Sequence, residues 1–196
     1  DDDRYERLAY EVSSERNLLD KVSIAGLYGW DNATKAKEVR YSYDDGTLTR
    51  GAGTGVREWN DGGGDKFTRY AYDGFGNKVS ETDALGHQTT FEYGLRDPTY
   101  TFVERSTNAL GHQAEFGYDL GTGNMLWQKK NDILTSFEYD TFGRISKEVK
   151  PYDSSVLPTK RYNYTFDGGA PETVFVTLRE TGDATSRVLQ YHYDGF

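Results

Sequence analysis

Cysteine is absent from the 196 residues, and methionine occurs once. Without cysteine there are no disulfides, no thiolate zinc sites and no cysteine nucleophile. Proline is scarce, at four residues against 22 glycines, a balance that suits many tight turns with positive φ between strands. No apolar run approaches the ~20 residues of a transmembrane helix. The opening Asp1-Asp2-Asp3-Arg4 lacks the charged-then-apolar layout of a secretory signal and leaves export open. Basic residues number 23 against 32 acidic ones, for a net charge of −9. With no basic run either, the electrostatic footprint of a nucleic-acid or anionic-membrane binder is missing. Leu, Ile, Val and Phe together supply only 38 residues, just under the roughly 20% below which a highly charged chain stays disordered. What is present argues the other way. Tyrosine occurs 16 times and aromatics make up 15% of the chain, and such rings bury too much surface to stay idle. The composition predicts a folded protein whose apolar surface is supplied by tyrosine.

The tyrosines are periodic. An aromatic–x–tyrosine triplet recurs seven times, at Tyr41/Tyr43, Tyr70/Tyr72, Phe91/Tyr93, Phe116/Tyr118, Phe137/Tyr139, Tyr162/Tyr164 and Tyr191/Tyr193. In five of the seven the second ring precedes aspartate: Asp44, Asp73, Asp119, Asp140 and Asp194. Steps between anchor tyrosines are 29, 21, 25, 21, 25 and 29 residues, a mean of 25. Leu8/Tyr10 before Glu11 reads as a decayed eighth copy. An i, i+2 spacing puts both rings on one face of a strand and the intervening polar residue on the other. After the anchor comes a turn, as in Tyr72-Asp73-Gly74-Phe75-Gly76-Asn77 and Tyr139-Asp140-Thr141-Phe142-Gly143-Arg144. There the carboxylate can accept a backbone N–H two residues on, and Gly76 or Gly143 supplies the left-handed position. A second alternating segment follows (Lys78–Thr82, Arg144–Val149), closed by a second turn, Asp83-Ala84-Leu85-Gly86-His87 or Asn108-Ala109-Leu110-Gly111-His112.

Each unit of about 25 residues is thus two strands and two turns, and no window sustains a 3.6-residue period, so helix is not expected. The fold class predicted is all-β: stacked antiparallel hairpins forming one curved sheet. Residues 1–39 form a degenerate N-terminal region, and residues 40–196 about six periods of the repeat. The 29-residue steps read as loop insertions rather than extra strands, one of them holding the glycine-rich stretches 51–55 and 60–65. Residues 150–158 read as a further loop. The ending Tyr193-Asp194-Gly195-Phe196 stops inside a turn, which reads as an excerpt of a longer chain.

The pattern Tyr-Asp-x-Phe-Gly-Asn/Arg, then Thr-Asp-Ala-Leu-Gly-His, then Thr-x-Phe-x-Tyr resembles the YD repeat of the Rhs family. That family includes Rhs polymorphic toxins, the B components of insecticidal toxin complexes and, more distantly, teneurins. Residues 107–145 are most similar to the virulence-plasmid B-protein (SpvB/TcB-like) branch. Gly94 and Thr165 depart from the pattern by replacing aspartate, so different turns are expected there. The resemblance implies a sheet that spirals into a hollow shell, secreted by or displayed on bacteria, which encloses a C-terminal toxin segment. Its partners would be the remaining repeats, that toxin segment and other toxin-complex subunits. It implies a structural role for Tyr43, Asp44, Tyr72, Asp73, Gly76, Tyr93, Tyr118, Asp119, Tyr139, Asp140, Gly143, Tyr164, Tyr193 and Asp194, with no catalytic residue, cofactor or metal. The composition agrees with a wall: hairpins with rings on one face and charges on the other make a lamina, with neighbouring rings adding ~0.2–1 kcal/mol per cross-strand pair.

Non-repeated residues are where other chemistry would sit. His87 and His112 hold equivalent positions 25 residues apart, and local hydrogen bonding is the expected role over metal binding. Asp61-Gly-Gly-Gly-Asp65 matches neither an EF-hand nor a nonapeptide calcium loop. No nucleophile elbow or phosphate loop is present. The rival to a wall is a carbohydrate-binding or adhesive surface module. Trp30, Trp59 and Trp127 fall outside the triplets, and Trp59 with Asn60 and Asp61 is the candidate glycan contact. A glycan-active enzyme is a third, weaker reading.

Overall fold

The computed structural model describes residues 4–29, 31, 33–165, 172–179 and 186–193. It contains fifteen strands in one antiparallel sheet whose strand order follows the chain. Among the described residues the only helical segments are two single 3₁₀ turns, Ser14–Arg16 and Asp44–Gly46. Two compact units divide the chain. The first runs to Glu92 and includes Thr107–Gly111; the second holds Tyr93–Ser106 and the chain from His112 onward.

In the first unit the strands are β1 (Tyr5–Ser13), β2 (Leu18–Tyr28), β3 (Lys35–Tyr43), β4 (Gly53–Glu58), β5 (Lys66–Tyr72), β6 (Lys78–Thr82) and β7 (Gln88–Glu92). The short β8 (Arg105–Thr107) lies where the chain passes between units. The second unit holds β9 (Gln113–Tyr118), β10 (Met125–Lys130), β11 (Ile133–Tyr139), β12 (Ile145–Val149), β13 (Lys160–Thr165), β14 (Glu172–Arg179) and β15 (Ser186–Tyr193). Every step between anchor tyrosines spans two strands, as the repeat requires. β3, β5, β9, β11, β13 and β15 contain the aromatic triplets near or at their ends, whereas β7 stops at Glu92, one residue short of Tyr93. Tyr10 sits inside β1, three residues before its end.

The two 29-residue steps differ in kind. From Tyr43 to Tyr72 the extra length lies in the connections 44–52 and 59–65, as insertion predicts. From Tyr164 to Tyr193 the strands themselves lengthen, β14 and β15 having eight residues each against five in β6 and β7. Longer paired arms absorb residues that the sequence pattern assigns to loops.

Burial follows from this single layer. Among the described residues the buried hydrophobics are Tyr28, Leu48 and Val176, fewer than the buried polar set of Glu38, Asp97, Glu104, Thr135 and Glu148. A one-layer sheet has no second layer to cover its faces, so stability rests on the hydrogen-bond ladder and on half-buried rings. On one face of β13–β15, Tyr162, Tyr164, Tyr191 and Tyr193 line a single hollow of about 500 Å³ with Val174, Val176 and Leu178. This is the shared face that i, i+2 spacing demands.

Candidate functional site

The repeated residues build one turn, used on both kinds of hairpin end. In 73–77, Asp73 Oδ1 accepts the N–H of Phe75 (2.8 Å) and of Asn77 (2.9 Å), and the Gly76 N–H returns to Asp73 O (3.2 Å). In 140–144 the Phe142 and Arg144 N–H groups take the same places at 2.9 and 3.0 Å. In 83–87 Leu85 and His87 do so, both at 2.9 Å. Gly76, Gly86, Gly111 and Gly143 all have φ between 78° and 92°. That region costs an L-residue roughly 1 kcal/mol or more, so glycine recurs there. The closing side chain reaches back to the second carboxylate oxygen: Asn77 Nδ2 at 3.2 Å, His87 Nδ1 at 2.9 Å and Arg144 Nε at 2.7 Å.

These carboxylates are ionised acceptors. Burial would raise Asp73 and Asp140, but the bonds from Asn77 and from Arg144 outweigh it and hold both below the usual range. The His87 N–H is the main cause of the same shift at Asp83, as the Thr122 N–H is at Asp119. Asp119 caps a turn one residue longer, accepting from Gly121 and Thr122. Asp44 spans the nine-residue connection after β3, accepting the N–H groups of Arg50, Gly51 and Ala52.

The tyrosines form a second device. A β-bulge sits at the second residue of four outgoing strands, so that Tyr43 pairs with Gly53, Tyr72 with Lys78, Tyr118 with Met125 and Tyr139 with Ile145, each skipping a residue. A bulge interrupts the ladder and adds twist. The next anchor tyrosine bonds across three of these interruptions. Tyr72 Oη donates to Gly53 O (3.0 Å), Tyr139 to Met125 O (2.8 Å) and Tyr164 to Ile145 O (2.8 Å). Tyr43 does likewise to Val22 O (2.9 Å). The phenols of Tyr72, Tyr139 and Tyr164 thus tie their repeats to the exit of the preceding turn, a bond that phenylalanine cannot make. Burial raises the phenol pKa of Tyr43, Tyr139 and Tyr164, keeping them neutral donors. Tyr139→Phe is expected to cost about 1 kcal/mol, the worth of one hydrogen bond with its partly buried acceptor. Urea denaturation measures it; a change within ±0.3 kcal/mol would remove the phenol from the account.

Where aspartate is missing after Tyr93, a different structure forms. Gly94 (φ 73°) lies under the Tyr100 ring, and the capping role passes to Asp97. Asp97 and Glu104 are each only 2% exposed. Asp97 accepts the N–H groups of Thr99, Thr101 and Phe102. Glu104 Oε2 accepts those of Arg96 (2.8 Å) and Asp97 (3.1 Å). Burial would raise Glu104, yet these backbone donors together with the Arg96 charge lower it. The Arg96 guanidinium pairs with Glu104 (3.3 Å), bonds Phe116 O (3.0 Å) and lies 5.0 Å from the Trp127 ring centroid. Trp127 in turn covers Gly117, where any Cβ would strike the indole. Phe102 stacks on Tyr118 with centroids 4.7 Å apart. The absent aspartate at position 94 is the one sequence signal for this cluster; its members are invisible to the repeat.

Trp59 is half-buried just past β4, its N–H bonded to Glu38 O and its ring covered by the Lys35 ammonium at 5.3 Å. Asn60 folds over Gly63, and Asp61 is exposed. None of the three lines the groove of about 900 Å³ in the first unit, walled by Ser42, Thr54, Arg69, Ser80 and Thr82. Trp30 and Asp194 lie outside the described residues. Among the described residues no three metal-ligating side chains converge, and no helix is long and apolar enough to cross a membrane.

No family model matches the sequence, and no curated protein matches it. Solved structures do. The structure of TcdB2–TccC3–Cdc42 superimposes with a TM-score of 0.55 over 94% of this chain, at 12% identity. A Photorhabdus luminescens Tc holotoxin pore with mutated TccC3 gives 0.52 over 98%, at 14% identity. This chain shares its fold with a segment of those Tc-toxin chains. It spans about a tenth of the solved chains it matches, 11% in both cases.

Proposed function

We propose that this chain is a non-catalytic wall segment of a bacterial toxin shell, secreted or displayed at the cell surface. Its partners are then further repeats and a C-terminal toxin segment of a longer chain, together with other toxin-complex subunits. One observation carries the reading: a single antiparallel sheet in chain order, with three buried hydrophobic residues among those described. Such a sheet separates two spaces instead of enclosing a core. The turn aspartates support it, since a general acid needs a raised pKa and theirs are lowered.

Limited proteolysis of the parent protein tests it. A segment C-terminal to the repeats should resist protease while the sheet is intact, at least tenfold longer than the same segment made alone. Equal cleavage rates would overturn the wall. Sugar titration followed by tryptophan fluorescence tests the carbohydrate-binding alternative. Saturable binding that is lost in Trp59→Ala would replace the wall reading with an adhesive one; no response is expected.

A further inference from the structure

Asp-Gly pairs occur at 45–46, 61–62, 73–74, 167–168 and 194–195, and the last two lie outside the described residues. Such a pair carries a latent reaction, because glycine has no side chain to keep its amide nitrogen away from the preceding carboxyl. Ring closure needs a main-chain rotation that swings the glycine nitrogen onto the carboxyl carbon. It also needs a carboxyl that is not tied elsewhere.

At 73–74 the carboxyl is tied. Asp73 Oδ1 accepts the N–H groups of Phe75 (2.8 Å) and Asn77 (2.9 Å), and Oδ2 accepts Asn77 Nδ2 (3.2 Å). At 45–46 the main chain is pinned on both sides. The Asp44 N–H bonds Ala52 O (2.9 Å), the Asp45 N–H bonds Thr54 Oγ1 (3.1 Å) and the Thr47 N–H bonds Asp44 O (3.1 Å). Asp45, with φ 52° and ψ 34°, sits inside the 3₁₀ turn that these bonds hold. At 61–62 neither restraint is present. Asp61 is exposed, and its carboxylate has no hydrogen-bond partner among the described residues. The bonds of its turn are long: the Asn60 N–H reaches Asp65 Oδ1 at 3.4 Å and the Gly63 N–H reaches Asn60 O at 3.5 Å, against a usual value of roughly 2.9–3.0 Å. Gly62 begins a run of three glycines, with open space where a side chain on Gly62 or Gly64 would lie.

We propose that Asp61 is a spontaneous modification site, isomerised to isoaspartate in the folded chain while Asp45 and Asp73 are protected. The Gly62 nitrogen attacks Asp61 Cγ. The N–Cγ bond forms, a Cγ–O bond breaks, and the hydroxyl leaves with the amide proton as water. Water then opens the cyclic imide. Addition at Cγ returns aspartate; addition at the main-chain carbonyl carbon leaves Gly62 joined through Cγ, beside a free α-carboxylate. No atom or charge is gained overall. Since the leaving oxygen departs as water, the protonated carboxyl is the one that reacts. Burial would raise the Asp73 pKa, but the bonds from Asn77 outweigh it and hold that carboxyl ionised, which slows its reaction further. The product lengthens the connection by one main-chain methylene. Arg57–Asp65 pairing (2.8 Å) and the Glu58–Lys66 register close the base of the loop, so β4 and β5 keep their pairing.

Ageing of the purified chain in weakly acidic buffer, native and in urea, tests the site. Isoaspartate is read peptide by peptide, by methyl transfer from an isoaspartate-specific carboxyl methyltransferase. In the native chain the 61–62 peptide should gain it at least tenfold faster than the 45–46 and 73–74 peptides. In urea the three rates should converge, since the bonds that separate them are gone. Asp61→Glu, whose imide ring would be one atom larger and far slower to close, should abolish the 61–62 signal and leave the other two unchanged. Circular dichroism of the aged chain should match that of the fresh one. Equal native rates at Asp61 and Asp73, or a ratio between them that urea leaves unchanged, overturns the proposal. So does isomerisation that appears only with loss of the β signal, because it would then belong to the unfolded chain.

Discussion

Acidification below pH 4.5 is expected to cost the first unit about 3 kcal/mol through one residue, Glu38. This carboxylate is buried and accepts bonds from Tyr28 Oη, Lys35 Nζ (2.8 Å) and Arg40 Nε (2.8 Å). Burial by itself would raise its pKa, but the three donors outweigh it and bring the value to about 2, from 4.5. The folded form therefore binds its proton later than the unfolded one. The stabilisation is complete above pH 4.5 and is lost as pH falls toward and through about 2. A difference of about 2.5 units corresponds to roughly 3 kcal/mol. The same bond raises the Tyr28 phenol pKa, so that pair stays neutral phenol and carboxylate. Urea unfolding at pH 6 and pH 2.5, followed by amide exchange in β2–β4, should show Glu38→Gln less stable at pH 6. It should also show a smaller acid loss than the wild type, by 2 kcal/mol or more. Equal acid losses would mean that the other turn carboxylates account for the whole effect.

Replacing Glu104 by alanine is expected to destabilise the second unit by about 3 kcal/mol. The change strips the acceptor from the Arg96 and Asp97 backbone N–H groups, each costing roughly 1–3 kcal/mol when left unpaired, and removes the carboxylate beside the half-exposed Arg96 guanidinium. Glu104→Gln keeps an acceptor and should cost about half as much. Because Arg96 lies over Trp127, indole fluorescence should report the loss of order in the alanine variant. A loss below 1 kcal/mol with unchanged fluorescence would show that the cluster reorganises around water.

How far the molecule is legible in its residues varies along the chain. Turns at Asp73 and Asp140 are legible because every requirement is local: an acceptor two residues before a donor, and glycine where φ is positive. The pairing of β12 with β13 across residues 150–159 is legible because an aromatic triplet marks the next incoming strand. The bulges at Thr54, Val79, Leu126 and Ser146 are not. Alternation continues through Lys78–Thr82 in the sequence, but pairing skips Val79, and that skip is set by how one strand leaves a turn beside its neighbour. Nor is the Tyr139 bond to Met125 legible, since it joins residues 14 apart across a ladder. Asp83 and Leu110 read as turn residues; their sharing of a groove depends on which turns become neighbours.

The sequence alone determined that this is an all-β repeat of two strands and two turns, with tyrosine in place of an aliphatic core. A period, a face and a turn residue are short-range properties, fixed by backbone sterics and by hydrogen bonds spanning two to four residues. Tertiary structure decided why the anchor must be tyrosine and not merely aromatic, where the ladder skips, and which acids become buried. Those depend on donors and acceptors brought together by the folded chain, as Glu38 of β3 meets Tyr28 of β2 and as Glu104 meets Arg96 across the connection between β7 and β8. In a one-layer sheet each such meeting is made at a strand boundary, where pairing geometry, not residue identity, chooses the partner.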